Sequence, residues 1–142
     1  MREMKCKPLI VSMITILAFL GPPLGLVGKL TAQQISGLPT IQQAVICERV
    51  ENRAPTGIGE VYPATVEKLY CFTQLKDIPS EGKLYHIWYY GNKEMAKVEL
   101  SMSPPQWRTY SSKIILPAWK GGWRVEVVYG DHVLKTLAFA IE

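Results

Sequence analysis

Lys83-Leu84-Tyr85-His86-Ile87-Trp88-Tyr89-Tyr90-Gly91-Asn92-Lys93-Glu94-Met95-Ala96-Lys97-Val98-Glu99-Leu100-Ser101-Met102 reads as two strands joined by a two-residue turn. On the second half, Ala96, Val98, Leu100 and Met102 alternate with Met95, Lys97, Glu99 and Ser101. A period of two puts one face against a core and the other in water. Gly91-Asn92 between β-rich runs is a short-hairpin signal. Pro104-Pro105 then stops the strand, because proline lacks the N–H that a ladder needs.

Working outward, the same signature recurs. Trp123, Val125 and Val127 alternate with Arg124 and Glu126, Gly130-Asp131 makes a turn, and Leu137, Phe139 and Ile141 alternate on the return. Gln106 to Ile115 is a strand between these two hairpins. Upstream, Gln43 to Glu51 and Val66 to Leu75 are β-rich runs, separated by a loop that carries Pro55, Gly57, Gly59 and Pro63. No segment beyond the N-terminal region has a helical period. About seven strands at this spacing predict an all-β, immunoglobulin- or fibronectin-like antiparallel sandwich. The expected domain is 43–142, preceded by a linker at 33–42.

The first 32 residues differ in kind. Arg2, Lys5 and Lys7 precede an apolar run from Leu9 to Leu20, and Gly21-Pro22-Pro23 ends it. Positive, then apolar, then a breaker is the order of an export segment. It predicts a hydrophobic helix at 1–32 that is either a cleaved signal peptide or a signal anchor. Both readings put the domain outside the cytoplasm, with the membrane touched only through this segment. Charge supports the division. The chain has a net charge of +4, with 16 basic and 12 acidic residues. Arg2, Lys5, Lys7 and Lys29 lie in the leader against Glu3 alone, which leaves 12 basic and 11 acidic residues beyond it. A domain so close to neutral has no basic field to capture nucleic acid.

Cys47 and Cys71 are the cysteines left beyond the leader. In an exported domain they are expected to pair. Closing that loop stabilises a fold by roughly 3 kcal/mol in the chain-entropy model. The alternative is two buried thiols that pack as small apolar side chains. There is no C-x-x-C, and His86 and His132 are not spaced with the cysteines as zinc ligands, so no metal or other cofactor is expected.

The aromatic side chains are the most prominent feature. Trp88 and Trp123 fall on core-facing positions. Trp107 and Trp119 follow or flank prolines and are candidates for ligand contact, since exposed aromatics give large contact area at low entropic cost. Alternation along Trp107-Arg108-Thr109-Tyr110-Ser111-Ser112-Lys113 puts Trp107, Thr109, Ser111 and Lys113 on one face and Arg108, Tyr110 and Ser112 on the other. Arg108 and Lys113 can hold an anionic group through charge-assisted hydrogen bonds. Trp107, Arg108, Lys113 and Trp119 are thus the expected binding residues. The plainer alternative is a solvated sheet face with cross-strand pairs.

Catalytic residues are not expected. Ser111 and Lys113 share a face, but the sequence shows neither a desolvated lysine nor an oxyanion hole. His86 points the same way as Trp88 and reads as a structural histidine. Asp77 and Asp131 lie in turns, where aspartate has local reasons to be.

Beyond Val45 the chain resembles an uncharacterised bacterial family, domain of unknown function 2914. The residues that carry the likeness are Cys47 with Asn52-Arg53-Ala54-Pro55, then Leu69-Tyr70-Cys71-Phe72-Thr73, His86-Ile87-Trp88-Tyr89-Tyr90, Trp107 to Lys113, and Trp119-Lys120-Gly121-Gly122-Trp123-Arg124-Val125 with Leu134 and Phe139. The resemblance implies an exported or membrane-tethered β-sandwich module and brings no activity with it. The expected function is a non-catalytic binding or interaction module whose partner is a cell-envelope protein or glycan. The rivals are a purely structural or assembly domain and an envelope hydrolase.

Overall fold

The computed structural model describes residues 37–142. The helix expected at 1–32 and the first part of the linker, 33–36, lie outside the described residues. The rest of the linker runs into a strand at Thr40.

Ten strands follow: β1 (Thr40–Cys47), β2 (Arg49–Glu51), β3 (Ala54–Thr56), β4 (Val61–Tyr62), β5 (Lys68–Lys76), β6 (Gly82–Tyr90), β7 (Lys93–Met102), β8 (Trp107–Ile114), β9 (Gly121–Tyr129) and β10 (His132–Ile141). Seven are the long strands expected. The other three are two or three residues long, below what periodicity can resolve.

The strands form a three-stranded sheet, β1-β5-β8, and a five-stranded sheet, β4-β10-β9-β6-β7; β2 and β3 make a separate ribbon. All pairings are antiparallel except the two-residue β4–β10 contact. The β6–β7 and β9–β10 hairpins close with two-residue turns. In each, a glycine comes first, Gly91 or Gly130, at φ 56°. That left-handed backbone is open to glycine and matches the twist of the flanking strands.

The core lies between the sheets. The three-stranded sheet supplies Ile46, Leu69, Cys71 and Leu75, and the five-stranded sheet supplies Leu84, Trp88, Met102, Trp123, Val125, Val127, Phe139 and Ile141. Burying each large apolar side chain contributes about 1.5–3 kcal/mol. Trp88 is fully buried, and Phe139 meets it edge-on and stacks on Trp123. The two tryptophans assigned to the core from alternation are both in it.

Phe72 is buried but does not belong to the inter-sheet core. It alternates with core-facing Cys71 and Thr73, so it points to the outer face of β5. There the β2–β3 ribbon packs against β1 and β5. The ribbon turns through Asn52 and Arg53, both left-handed at φ 51° and 60°.

Candidate functional site

The four residues singled out from sequence fall at the two ends of one edge strand. Among the described residues β8 pairs only with β5, from Leu75↔Trp107 to Lys68↔Ile114. Trp107 and Arg108 start the strand; Lys113 lies about 20 Å along it at ~3.3 Å per residue. Trp119 follows in the β8–β9 loop. They are two places, not one site.

At the far end, Lys113 and Trp119 satisfy each other. The Lys113 ammonium sits 5.3 Å from the centre of the Trp119 ring, within cation–π range. Trp119 also packs on Trp123, accepts the indole N–H of Trp123 at its carbonyl oxygen (3.0 Å), and leans on the core. Lys113 points toward the core side of an unpaired edge. A lysine so placed guards an edge strand against pairing with another chain.

The near end is open. Arg53, Gln74, Gln106, Trp107 and Arg108 line a shallow polar pocket of about 210 Å³. β8 brings Trp107 from its core-facing side and Arg108 from its outer side. β5 brings Gln74, the register partner of Arg108. The ribbon turn brings Arg53, and Arg108 Nη1 donates to the Arg53 carbonyl oxygen at 3.3 Å. Gln74 Nε2 donates to Gln42 Oε1, also at 3.3 Å. Among the described residues, neither Arg53 nor Arg108 has a carboxylate within salt-bridge distance. Two arginines, two amide side chains and one indole thus line the pocket, with no carboxylate among its lining residues. Sequence reasoning found Trp107 and Arg108 and missed Arg53, Gln74 and Gln106. Alternation from Phe72 puts Gln74 on the outer face; nothing local signals Arg53.

A second polar constellation is wholly enclosed. His86 on β6 is fully buried; its Nε2 lies 2.9 Å from Thr73 Oγ1 and its Nδ1 lies 2.8 Å from Ser111 Oγ. Trp88 Nε1 donates to the same Ser111 oxygen at 3.0 Å. The cluster ties β5, β6 and β8 together across the two sheets. Burial pushes His86 down to about 4, so the imidazole is neutral near pH 7. Ser111 and His86 stand at a nucleophile–base distance, but Thr73, not a carboxylate, holds the other ring nitrogen, and Trp88 occupies the serine. Such a network fixes the core. The Ser111–Lys113 pairing is not made, since Lys113 lies on Trp119.

The disulfide expected between Cys47 and Cys71 is not formed; both are free, buried thiols. The register explains this. Cys71 pairs with Ile46, while Cys47 pairs with Tyr70. The offset of one residue sends the two side chains to opposite faces of the same sheet. Cys71 points between the sheets, 4.0 Å from His86 Nε2, and burial pushes its thiol up to about 12. Cys47 lies under the ribbon against the backbone of Thr56 and Arg49, and burial raises it to about 11. Neither is a reactive thiolate near neutral pH.

A sequence model of the family described as "Protein of unknown function (DUF2914)" matches residues 81–141. The match spans β6 to β10 and begins beyond Cys47–Pro55 and Leu69–Thr73, which also carried the resemblance. No curated protein matches. Among solved structures, an immunoglobulin-like protein from Pseudomonas aeruginosa is 16% identical, with a TM-score of 0.50, over 76% of this chain and 99% of that one. That likeness shows the fold. The Pseudomonas fluorescens alkylpurine DNA glycosylase AlkC, bound to DNA containing an abasic-site analogue, is 14% identical, with a TM-score of 0.49, over 75% of this chain and 31% of that chain.

Proposed function

From the match of residues 81–141 to the DUF2914 model and an immunoglobulin-like sandwich, we propose that this protein is a non-catalytic binding module of the cell envelope. Its site is the pocket of Arg53, Gln74, Gln106, Trp107 and Arg108, and its ligand is an acidic glycan.

One observation carries this reading: two arginines that have no carboxylate partner among the described residues, beside an indole and amide side chains. Guanidinium forks bind carboxylates through charge-assisted hydrogen bonds. Amides donate to and accept from hydroxyls. An indole face covers the apolar side of a sugar ring. The export pattern read at 1–32 supports a setting in which such glycans occur. The domain itself is nearly neutral, so recognition rests on the pocket rather than on a general basic field.

The test is calorimetric titration of the protein with a uronic-acid oligosaccharide and with its neutral counterpart. Binding of the acidic sugar only, lost in Arg108→Ala and weakened in Trp107→Ala, supports the proposal. Equal binding of both sugars, or binding that survives both substitutions, rejects the site.

A further inference from the structure

A second cleft lies on the opposite flank, between the free edges of the two sheets. It has a volume of about 410 Å³ and is lined by Ala44, Val45 and Ile46 of β1, by Lys135, Thr136, Leu137 and Ala138 of β10, and by the Ile58–Glu60 segment. β1 is the outer strand of its sheet. β10 is covered by β4 only at Ala140 and Ile141.

The hydrogen bonds at the top of the cleft fix the direction of the backbone groups below. Gly59 N–H donates to Ile46 O at 3.3 Å, and Ala140 N–H donates to Glu60 O at 2.8 Å. The chain thus clips onto both edges in two consecutive residues. Tyr62 holds this crossover, with its hydroxyl 3.0–3.1 Å from the carbonyl oxygens of Ile46, Gly57 and Gly59. In an antiparallel strand the outward-pointing groups recur every second residue. Ala44 on β1, and Thr136 and Ala138 on β10, therefore turn their N–H and C=O into the cleft. Among the described residues no backbone partner meets them. Their side chains are small, and Ile58, 55% exposed, adds an apolar rim.

Such an edge takes an extended strand. The charges at its ends choose the occupant. Lys135 stands at the lower end, and Glu60 at the upper end, where β1 and β10 both point. We propose that the cleft binds an extended peptide segment of a partner protein. The segment runs antiparallel to both walls, with a cationic residue at its N-terminal end beside Glu60 and an acidic residue at its C-terminal end beside Lys135. Antiparallel pairing is also the more stable ladder. This is separate from the glycan pocket and does not depend on it.

The experiment uses the ¹⁵N-labelled protein and two capped synthetic peptides, Lys-Val-Thr-Val-Glu and its charge-reversed form Glu-Val-Thr-Val-Lys. The first peptide is expected to shift and protect from exchange the amides of Ala44, Thr136 and Ala138, and the second to bind several-fold more weakly. Lys135→Glu should remove or invert that preference. Ala138→Pro deletes an N–H that faces the cleft and leaves the β9 ladder its bonds; it should abolish protection. Shifts confined to other residues, or none with either peptide, overturn the proposal. So does protection of these amides in the free protein: if it depends on concentration the occupant is a second copy, and if it does not, the occupant is the chain's own linker.

Discussion

The outer faces of the two sheets are built on opposite principles. On the five-stranded sheet the charges near the centre of the outer face have local partners. Lys83 pairs with Glu99 at 3.1 Å and Arg124 with Glu126 at 3.4 Å. The Lys97 ammonium lies 4.8 Å from the Tyr85 ring centre and the Arg124 guanidinium 4.0 Å from that of Tyr89. Ile87, whose register partners are Lys97 and Glu126, is only 9% exposed although it points outward. The three-stranded sheet covers its outward Phe72 with a ribbon of backbone and leaves Arg53 and Arg108 without acids. Its Tyr110 and Ile114 are 51% and 59% exposed. A face that satisfies itself has little left for a partner. Of the two outer faces, the smaller sheet's is the one that leaves its arginines without acids.

The sharpest way to break this contrast is to remove what holds the ribbon. Phe72→Ala should destabilise by about 3–5 kcal/mol, as large aromatic truncations in cores do. It should also release the Arg53 turn and so eliminate acidic-glycan binding at temperatures where the fold survives. Ile87→Val, its counterpart on the other sheet, should cost about 0.5–1.5 kcal/mol and leave binding unchanged. Urea unfolding and calorimetric titration of both variants measure the difference. Equal costs would mean that the ribbon is not a true cover.

The layer between the faces sets the next effect. His86 titrates near 4 when folded against 6.5 for the ordinary group. The unfolded chain therefore takes up the proton first. The stabilisation is complete above pH ~6.5 and is lost as pH falls toward ~4, by about 3 kcal/mol at 1.36 kcal/mol per unit. Urea titrations across that window should show the slope, and His86→Asn should flatten it. Ser111→Ala strands Trp88 Nε1–H and one ring nitrogen of His86 in the core, at a cost of about 1–3 kcal/mol. Its unfolding midpoint, set beside that of wild type, reads this directly.

How far the fold could be read from sequence follows the length of each periodic run. Leu100, Met102, Val125 and Val127 repeat often enough for the two hairpins to be placed to within a residue or two. β2, β3 and β4 are too short for any period to emerge. Their turn uses Arg53 in a left-handed backbone, where Asn or Gly is the usual signal. The cysteine pairing failed for a related reason: both thiols are on strands as expected, and those strands are neighbours, but one step of register decides which face each one meets. The site was legible by halves. Local alternation finds Trp107 and Arg108, whereas Arg53 and Gln74 join them only through the ribbon fold and the β5–β8 register. The same alternation brought in Lys113, and a neighbouring proline brought in Trp119, because proximity to an edge does not show that a cation and a ring already satisfy each other.

The smallest expected effect tests the contrast from its quiet side. Arg124 and Glu126 are half-buried neighbours on the self-satisfied face, and a double-mutant cycle through Arg124→Ala and Glu126→Ala should give a coupling of about 0.2–1 kcal/mol. High salt should weaken it, since pairs near the surface are screened. Arg108→Ala, on the other face, should move stability by no more than about 0.5 kcal/mol, because no carboxylate among the described residues pairs with it. Its effect should fall on acidic-glycan affinity alone. If Arg108 proved as coupled to folding as Arg124, its charge would already be spent inside the protein, and the two faces would not differ in the way their partners suggest.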